Sequence, residues 1–329
     1  MPSPRPERPT ALVTAPFRGP GVDRLAAVAD LVVDPWLDHR PLRLYAAEQL
    51  AERIDAEGAT IVVCEGDTVG GPVLDRPLVA IASARGDPTN VDVAAAAAAG
   101  IPVLHAPGRN ADAVAEHTVG LLLAVTRQIV PADRDVREGE VFRDGSIPYQ
   151  RFRAWQLAGR TAGLVGLGAV GRAVRWRLEG LGMRVIAADP FAPDATHTLD
   201  ELLAEADVVS VHAAVTPDTV GLIDRAAVGR MRDGAVFVNT ARAALHDLDA
   251  LTAAATDGRL AGVALDHFDG EVLDPDHPIA KLPNVVLTPH IGGATYDTEA
   301  NHTALLADDL VRLLAGERPH HVANPEVLT

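Results

Sequence analysis

Three glycines set the first chemical constraint in this chain. The string Gly163-Leu164-Val165-Gly166-Leu167-Gly168-Ala169-Val170-Gly171 carries the spacing G-x-G-x-x-G directly after an apolar run and directly before a helical pattern over 172–181. Gly166 permits a tight turn, Gly168 lets backbone N–H groups approach a pyrophosphate, and Gly171 allows a helix to pack close to the strand. The helix start, with Ala169 and Val170, then favours an anion. A glycine turn without a ligand looks the same locally, so the next acidic residue discriminates. Asp189 ends the following apolar run 18 residues beyond Gly171 (189 − 171), near the ~20-residue offset of an acid that accepts from an adenosine ribose 2′-OH. Pro190 and Phe191 follow it, and no Arg or Lys stands immediately beyond to meet a 2′-phosphate. The expected cofactor is NAD rather than NADP; the alternative for Asp189 is a turn acid before proline.

Such a turn needs a layered α/β scaffold, and the rest of the chain supplies the pattern for one. Short apolar runs at 11–15, 29–33, 60–64, 79–83 and 101–105 read as strands, with helical spacing between them, as over 44–57 and 91–99. From Thr161 the alternation is regular, with strands expected at 162–166, 184–189, 208–212, 235–239, 262–265 and 285–288. Alternation of this kind implies mostly parallel sheets. A long apolar helix is expected over 111–129. Residues 131–158, rich in charge and carrying Phe142, Tyr149, Phe152 and Trp155, read as a long surface excursion, a subunit contact or an active-site wall. The helical pattern over 298–315 is expected to pack back on the first domain.

At 329 residues two domains with a cleft between them are expected, here 1–106 with 297–329, and 107–296. With 48% hydrophobic and 22% charged residues the composition is globular. The formal charge of −16, from 45 acidic and 29 basic residues, disfavours nucleic acid and anionic membranes as partners. A single cysteine, Cys64 within Ile61-Val62-Val63-Cys64, rules out an intrachain disulfide and reads as a buried strand residue. The proline-rich N-terminus lacks the apolar core of a secretion signal, and no run reaches the ~18 apolar residues of a membrane span. A cytoplasmic location is expected.

The landmarks beyond the glycine turn are Val114-Ala115-Glu116-His117-Thr118, Val238-Asn239-Thr240-Ala241-Arg242, Ala264-Leu265-Asp266 with Glu271 after it, and Leu287-Thr288-Pro289-His290-Ile291-Gly292-Gly293. On these strings the chain resembles the D-isomer-specific 2-hydroxyacid dehydrogenases, over nearly its whole length. The resemblance implies two doubly wound parallel-sheet domains, a flavodoxin-like substrate domain and a Rossmann NAD domain. It assigns Arg242 to the substrate carboxylate, where a planar guanidinium binds two oxygens at once. It makes His290 the acid/base, with Glu271 orienting the ring. Thr240 and Asp266 are expected at the cofactor, Asp266 near the nicotinamide carboxamide or, alternatively, in a capping or turn role. No metal is implied, because the cofactor carries the hydride chemistry.

The chain departs from the family in two places. Where the family commonly has Asp-Val-Phe and a Pro- and Glu-rich turn, it reads Asp266-His267-Phe268-Asp269-Gly270-Glu271. Glu271 is chosen over Asp269 on its five-residue offset from Asp266, and His267 reads as a pocket or packing residue rather than a second acid/base. The substrate loop reads Ser83-Ala84-Arg85-Gly86-Asp87, with Arg85 where glycine is commoner. Backbone N–H groups of the loop are expected to bind a carboxylate, and Arg85 either binds a second anionic group, such as phosphate or phosphonate, or pairs with an acid and rigidifies the loop. Arg151, Arg153 and Tyr149 either add to that pocket or lie in solvent. The expected partner set is a small anionic substrate and a second copy of the chain, as a homodimer. An NAD-sensing scaffold, known as one branch of the family, is the alternative to an enzyme.

Overall fold

The computed structural model describes residues 8–328, so most of the proline-rich N-terminus lies outside the described residues. The chain divides into two compact units. One takes in the chain up to Arg109 and again from Thr295; the other runs Asn110–Ala294.

In the first unit β1 (Thr10–Val13), β2 (Asp30–Val33), β3 (Ile61–Cys64), β4 (Ala80–Ser83) and β5 (Val103–Leu104) form a parallel sheet in the order β2-β1-β3-β4-β5. Alternate side chains of the central strands serve opposite faces. Ala11, Val13, Ile61 and Val63 pack with Leu25, Leu306 and Leu310 of the helices Pro20–Ala26 and Tyr296–Leu314. Leu12, Val62, Cys64 and Ile81 pack with Leu50 and Ile54 of the helix Ala47–Glu57. Burial on both faces is why β3 and β4 read as unbroken apolar runs. Burial also pushes the Cys64 thiol up to about 12, which makes it an inert core residue.

The second unit is a six-stranded parallel sheet built from β6 (Thr161–Val165), β7 (Arg184–Ala188), β8 (Val208–Val211), β9 (Ala235–Asn239), β10 (Leu260–Leu265) and β11 (Val285–Leu287), in the order β11-β10-β9-β8-β6-β7. The chain leaves β6 to one side for β7 and returns to its other side for β8. Loops at the carboxyl ends of β6 and β8 therefore diverge, which is where open α/β sheets hold ligands.

Two elements differ from expectation. The long apolar helix ends at Thr126, and after Gln128 (φ 53°) a second helix, Ile129–Glu138, leaves at 63° to the first. The expected excursion is thus partly helical, with a further turn at Pro148–Arg151. Asp135, almost fully buried, holds the segment together. It accepts from Arg151 Nη2 at 2.8 Å and pairs with Arg143 at 3.2 Å, while Arg151 also donates to the Val141 carbonyl. Arg151 is a clasp within this segment, neither solvated nor free to bind an anion. Among the described residues, no single helix is long and apolar enough to cross a membrane.

Four histidines are held neutral, chiefly by burial: His212 and His267 are lowered to about 3, His246 and His302 to about 4. In the unfolded chain the same groups bind protons below about pH 6.5. The unfolded state therefore gains protons first as the pH falls, and native stability declines between about pH 6.5 and pH 4. Thermal melts across this range should show a steadily falling Tm; a Tm unchanged from neutral pH to about pH 4.5 would contradict it.

Candidate active site

The glycine turn follows β6 at the switch point. Gly166 has φ 95°, and a Cβ there would lie 2.6 Å from Ala213 N, the backbone just beyond β8. A Cβ on Gly171 would lie 2.2 Å from the Gly166 carbonyl oxygen, so the helix Ala169–Gly180 sits against the turn only because that position lacks a side chain. Gly168 is different: nothing lies within 4 Å of where its Cβ would be. That open space at the head of a helix fits the pyrophosphate of a dinucleotide, whose charge the first helical N–H groups, of Ala169 and Val170, would meet. Asp189 follows β7 with its carboxylate turned to this site, Oδ2 accepting from Leu167 N at 2.7 Å and Oδ1 from Phe191 N at 2.9 Å. Arg172, in the first turn of the same helix, makes a bidentate pair with Asp194 and is not free for a 2′-phosphate.

Three further strand ends contribute polar groups. At the end of β9, buried Asn239 shapes the turn: its amide donates to the Arg242 carbonyl at 2.9 Å and its oxygen accepts from Ala241 N at 2.8 Å. The turn carries Thr240, hydrogen-bonded to Thr118 at 2.7 Å, and ends on the exposed Arg242. After β10 comes Asp266, fully buried. Its Oδ1 accepts from Thr288 Oγ1 at 2.6 Å and Ile291 N at 3.0 Å, with His117 Nε2 at 3.3 Å, and its Oδ2 accepts from Gly292 N at 2.8 Å. Burial alone would raise this carboxyl, but hydrogen bonds from His117, Thr288, Ile291 and Gly292 outweigh it and hold the group well below the usual carboxylate range.

After β11 the pinned loop carries His290. Its N–H donates to the Asp266 carbonyl at 2.8 Å and its Nδ1 donates to Glu271 Oε1 at 2.8 Å. A carboxylate only accepts, so the proton sits on Nδ1 and the exposed ring offers the Nε2 lone pair. His290 (φ 55°) and Glu271 (φ 61°) both sit in the left-handed region, at a cost of about 1–2 kcal/mol each. The pair thus carries stored strain that the surrounding hydrogen bonds offset.

His267, Glu271 and His290 bring ligand-capable atoms within 4.8 Å of one another. Of these, His290 Nδ1 and Glu271 Oε1 bond each other and His267 Nε2 faces the Arg242 cation at 3.5 Å. In this unit, then, the structure brings Arg242, Glu271, His290 and His267 together and gathers the glycine turn with Asp189. Asp266 has both oxygens engaged by protein donors, the turn-holding arrangement that the sequence had left open. His117, Asn239 and Thr288 were missed as functional residues. Their only signal is membership of the landmark strings, since His117 and Thr288 lie 171 residues apart in the chain.

In the other unit the loop after β4 is tied from several sides. Arg85 donates from Nε to the Glu65 carbonyl at 2.7 Å and from Nη1 to Thr89 Oγ1 at 2.8 Å, with no bond to Asp87. Ser83 donates to Asn90 at 2.8 Å, and His105 Nδ1 donates to the Gly86 carbonyl at 2.7 Å. Among the described residues, the N–H groups of Arg85 and Gly86 have no protein acceptor.

A doubly wound sheet with a glycine turn, an acid facing that turn and a carboxylate-paired imidazole at a later strand end has the parts of a dinucleotide-dependent oxidoreductase. Residues 119–292 match the family described as D-isomer specific 2-hydroxyacid dehydrogenase, NAD binding domain. A glyoxylate reductase from Thermofilum pendens is 37% identical over 98% of this chain and 96% of its own length. The D-3-phosphoglycerate dehydrogenase of Mycobacterium tuberculosis is 37% identical over 89% of this chain, which spans 55% of that longer protein. Among solved structures, the TT0316 protein of Thermus thermophilus has a TM-score of 0.81 at 36% identity, covering 95% of this chain and 99% of that one. The chain belongs to the D-isomer specific 2-hydroxyacid dehydrogenase family and is an NAD-dependent oxidoreductase of 2-hydroxy acids.

Asp266→Asn would set an amide NH2 against the N–H donors of the loop. Loss of a charge-assisted bond of about 2 kcal/mol should lower Tm by about 5 °C and kcat more than about tenfold. The Asp266 contribution is present above about pH 4 and lost as the pH falls through its depressed folded value, so the gap between wild type and variant should narrow in acid. Equal Tm and kcat at neutral pH would remove Asp266 from this role.

Proposed function

We propose that the protein interconverts a small 2-hydroxy acid and its 2-oxo acid, with Arg242 binding the carboxylate and His290, paired to Glu271, moving the hydroxyl proton. The observation that carries this reading is the 2.8 Å bond from His290 Nδ1 to Glu271, on strand ends of the sheet that bears the glycine turn. The bound nicotinamide supplies the hydride acceptor or donor. In oxidation, Nε2 of His290 takes the hydroxyl proton as the C2 hydrogen leaves as hydride, and Glu271 stabilises the imidazolium that results. In reduction the same imidazolium returns the proton. Arg242 meets the carboxylate with paired donors and so fixes which face of C2 reacts.

Ala84, Arg85 and Gly86 form an anion-binding loop in the first unit, supported by the unengaged N–H groups of Arg85 and Gly86. Arg85 has Nε and Nη1 engaged within its own unit, so recognition of a second anionic group, phosphate or phosphonate, rests on Nη2. The name of the Thermofilum relative makes glyoxylate with NADH the first assay, beside D-glycerate and D-3-phosphoglycerate with NAD, each followed by absorbance of the reduced nicotinamide. His290→Ala should lower kcat about 10³-fold and leave NAD affinity within about twofold, and Arg85→Ala should erase any preference for the phosphorylated acid. Near-normal turnover by His290→Ala would overturn the proton-transfer role, and an unchanged preference would reduce Arg85 to a loop brace.

A homodimer is also part of this reading. Val136, Phe142, Tyr149 and Trp155 are 67–78% exposed on one segment, more apolar surface than a lone domain usually leaves to water. Light scattering should give twice the chain mass, and Trp155→Arg should shift it toward the monomer; a monomeric wild type at micromolar concentration would refute it.

A further inference from the structure

His267 stands directly after Asp266, at the end of β10, and its residue is 4% exposed. Its ring lies 3.8 Å from that of His290, centroid to centroid, with the planes tilted by 50°. Its Nε2 lies 3.5 Å from Arg242 Nη1. With Nε2 turned to the Arg242 guanidinium, the lone pair belongs on Nε2. A neutral imidazole then carries its proton on Nδ1. A guanidinium has donors and no acceptor, and this tautomer is the one form of imidazole that can receive it.

The charges around the ring favour the same form. Burial first, then the neighbouring His290 and the Arg242 cation, lower His267 to about 3, against an opposing pull from Asp266. A protonated His267 would place a second cation 3.5 Å from the Arg242 guanidinium. The first unit holds a parallel case: His302 donates from Nε2 to the Pro16 carbonyl, and its Nδ1 receives Arg109 at 2.8 Å.

We propose that His267 is a positioning residue that aims Arg242 at the substrate carboxylate, its Nε2 accepting from Nη1 while the ring backs His290. The proposal rests on the reading of Arg242 as the carboxylate ligand. Arg242 is exposed, and among the described residues the only other hydrogen bond of its guanidinium runs from the same Nη1 to the neighbouring Ala241 carbonyl at 2.6 Å. Without an acceptor on the β10 side, a long side chain of this kind is free to sample many rotamers, and each binding event must then order it.

Two variants separate orientation from packing. His267→Phe keeps a ring against His290 and removes the acceptor; His267→Gln places an amide oxygen near the Nε2 position. With glyoxylate and NADH, the Phe variant should raise KM for glyoxylate about five- to tenfold, with kcat and NADH affinity within about twofold, and the Gln variant should recover most of the loss. An unchanged KM in the Phe variant, or a fall in kcat and Tm shared equally by both variants, overturns the proposal. Nitrogen-15 histidine spectra give a readout that needs no turnover. The signal missing from both variants should report a neutral Nδ1–H imidazole from about pH 8 to about pH 5. A His267 that titrates near its ordinary value of about 6.5, or carries its proton on Nε2, overturns the proposal. Absence of turnover with that tautomer intact counts against the substrate reading alone.

Discussion

A single buried carboxylate organises the His290 end of the second unit. Asp266 has no exposed surface, and an ionised carboxylate in that position is costly unless every lone pair finds a donor. Thr288, Ile291, Gly292 and His117 supply those donors, and in doing so they join the end of β10, the loop after β11 and the helix Ala111–Thr126. The loop so held carries His290 in a backbone conformation that a free chain rarely adopts. Removing any one donor leaves a charge partly unpaired, which is why the arrangement is rigid rather than merely crowded.

The cofactor end obeys a different constraint, one of space. Gly166 and Gly171 are required because backbone atoms of the next strand and of the turn occupy the volume a Cβ would need, whereas Gly168 faces open space. The same glycine spacing therefore serves two packing contacts and one approach for a ligand. Asp189 adds to this by accepting from Leu167 N, which ties the end of β7 to the turn it faces. Arg242 and His290 follow the ends of later strands, and His267 lies against both, neutral beside the Arg242 cation.

Much of this was legible in the sequence because it depends on local pattern. Both sheets follow from apolar runs whose strands are buried on two faces, and the glycine turn from its position between a strand and a helix. The offset that selected Glu271 over Asp269 picks the carboxylate that the structure bonds to His290. What stayed hidden depends on long-range pairing. Nothing local marks His117 as a neighbour of Asp266, or Asp135 as the partner of Arg151, since each pairing exists only after the chain has folded. The break was placed at 129, ahead of Pro131, but the helix Ile129–Glu138 that resumes after Gln128 was read as part of a surface excursion, because only the left-handed conformation of Gln128 lets the chain turn and continue as helix. Arg85 was read as either a ligand group or a loop brace, and its bonds to Glu65 and Thr89 show how far the second of these already holds.

The organising role of Asp266 is open to direct inspection in a crystal structure of the protein with NADH and oxamate, an unreactive 2-oxo acid analogue. Asp266 should keep its bonds from Thr288, Ile291 and Gly292 and touch neither ligand, while the oxamate carboxylate lies on Arg242 and its carbonyl oxygen on His290 Nε2. An Asp266 carboxylate turned onto the nicotinamide amide, with the Ile291 and Gly292 bonds broken, would contradict that role.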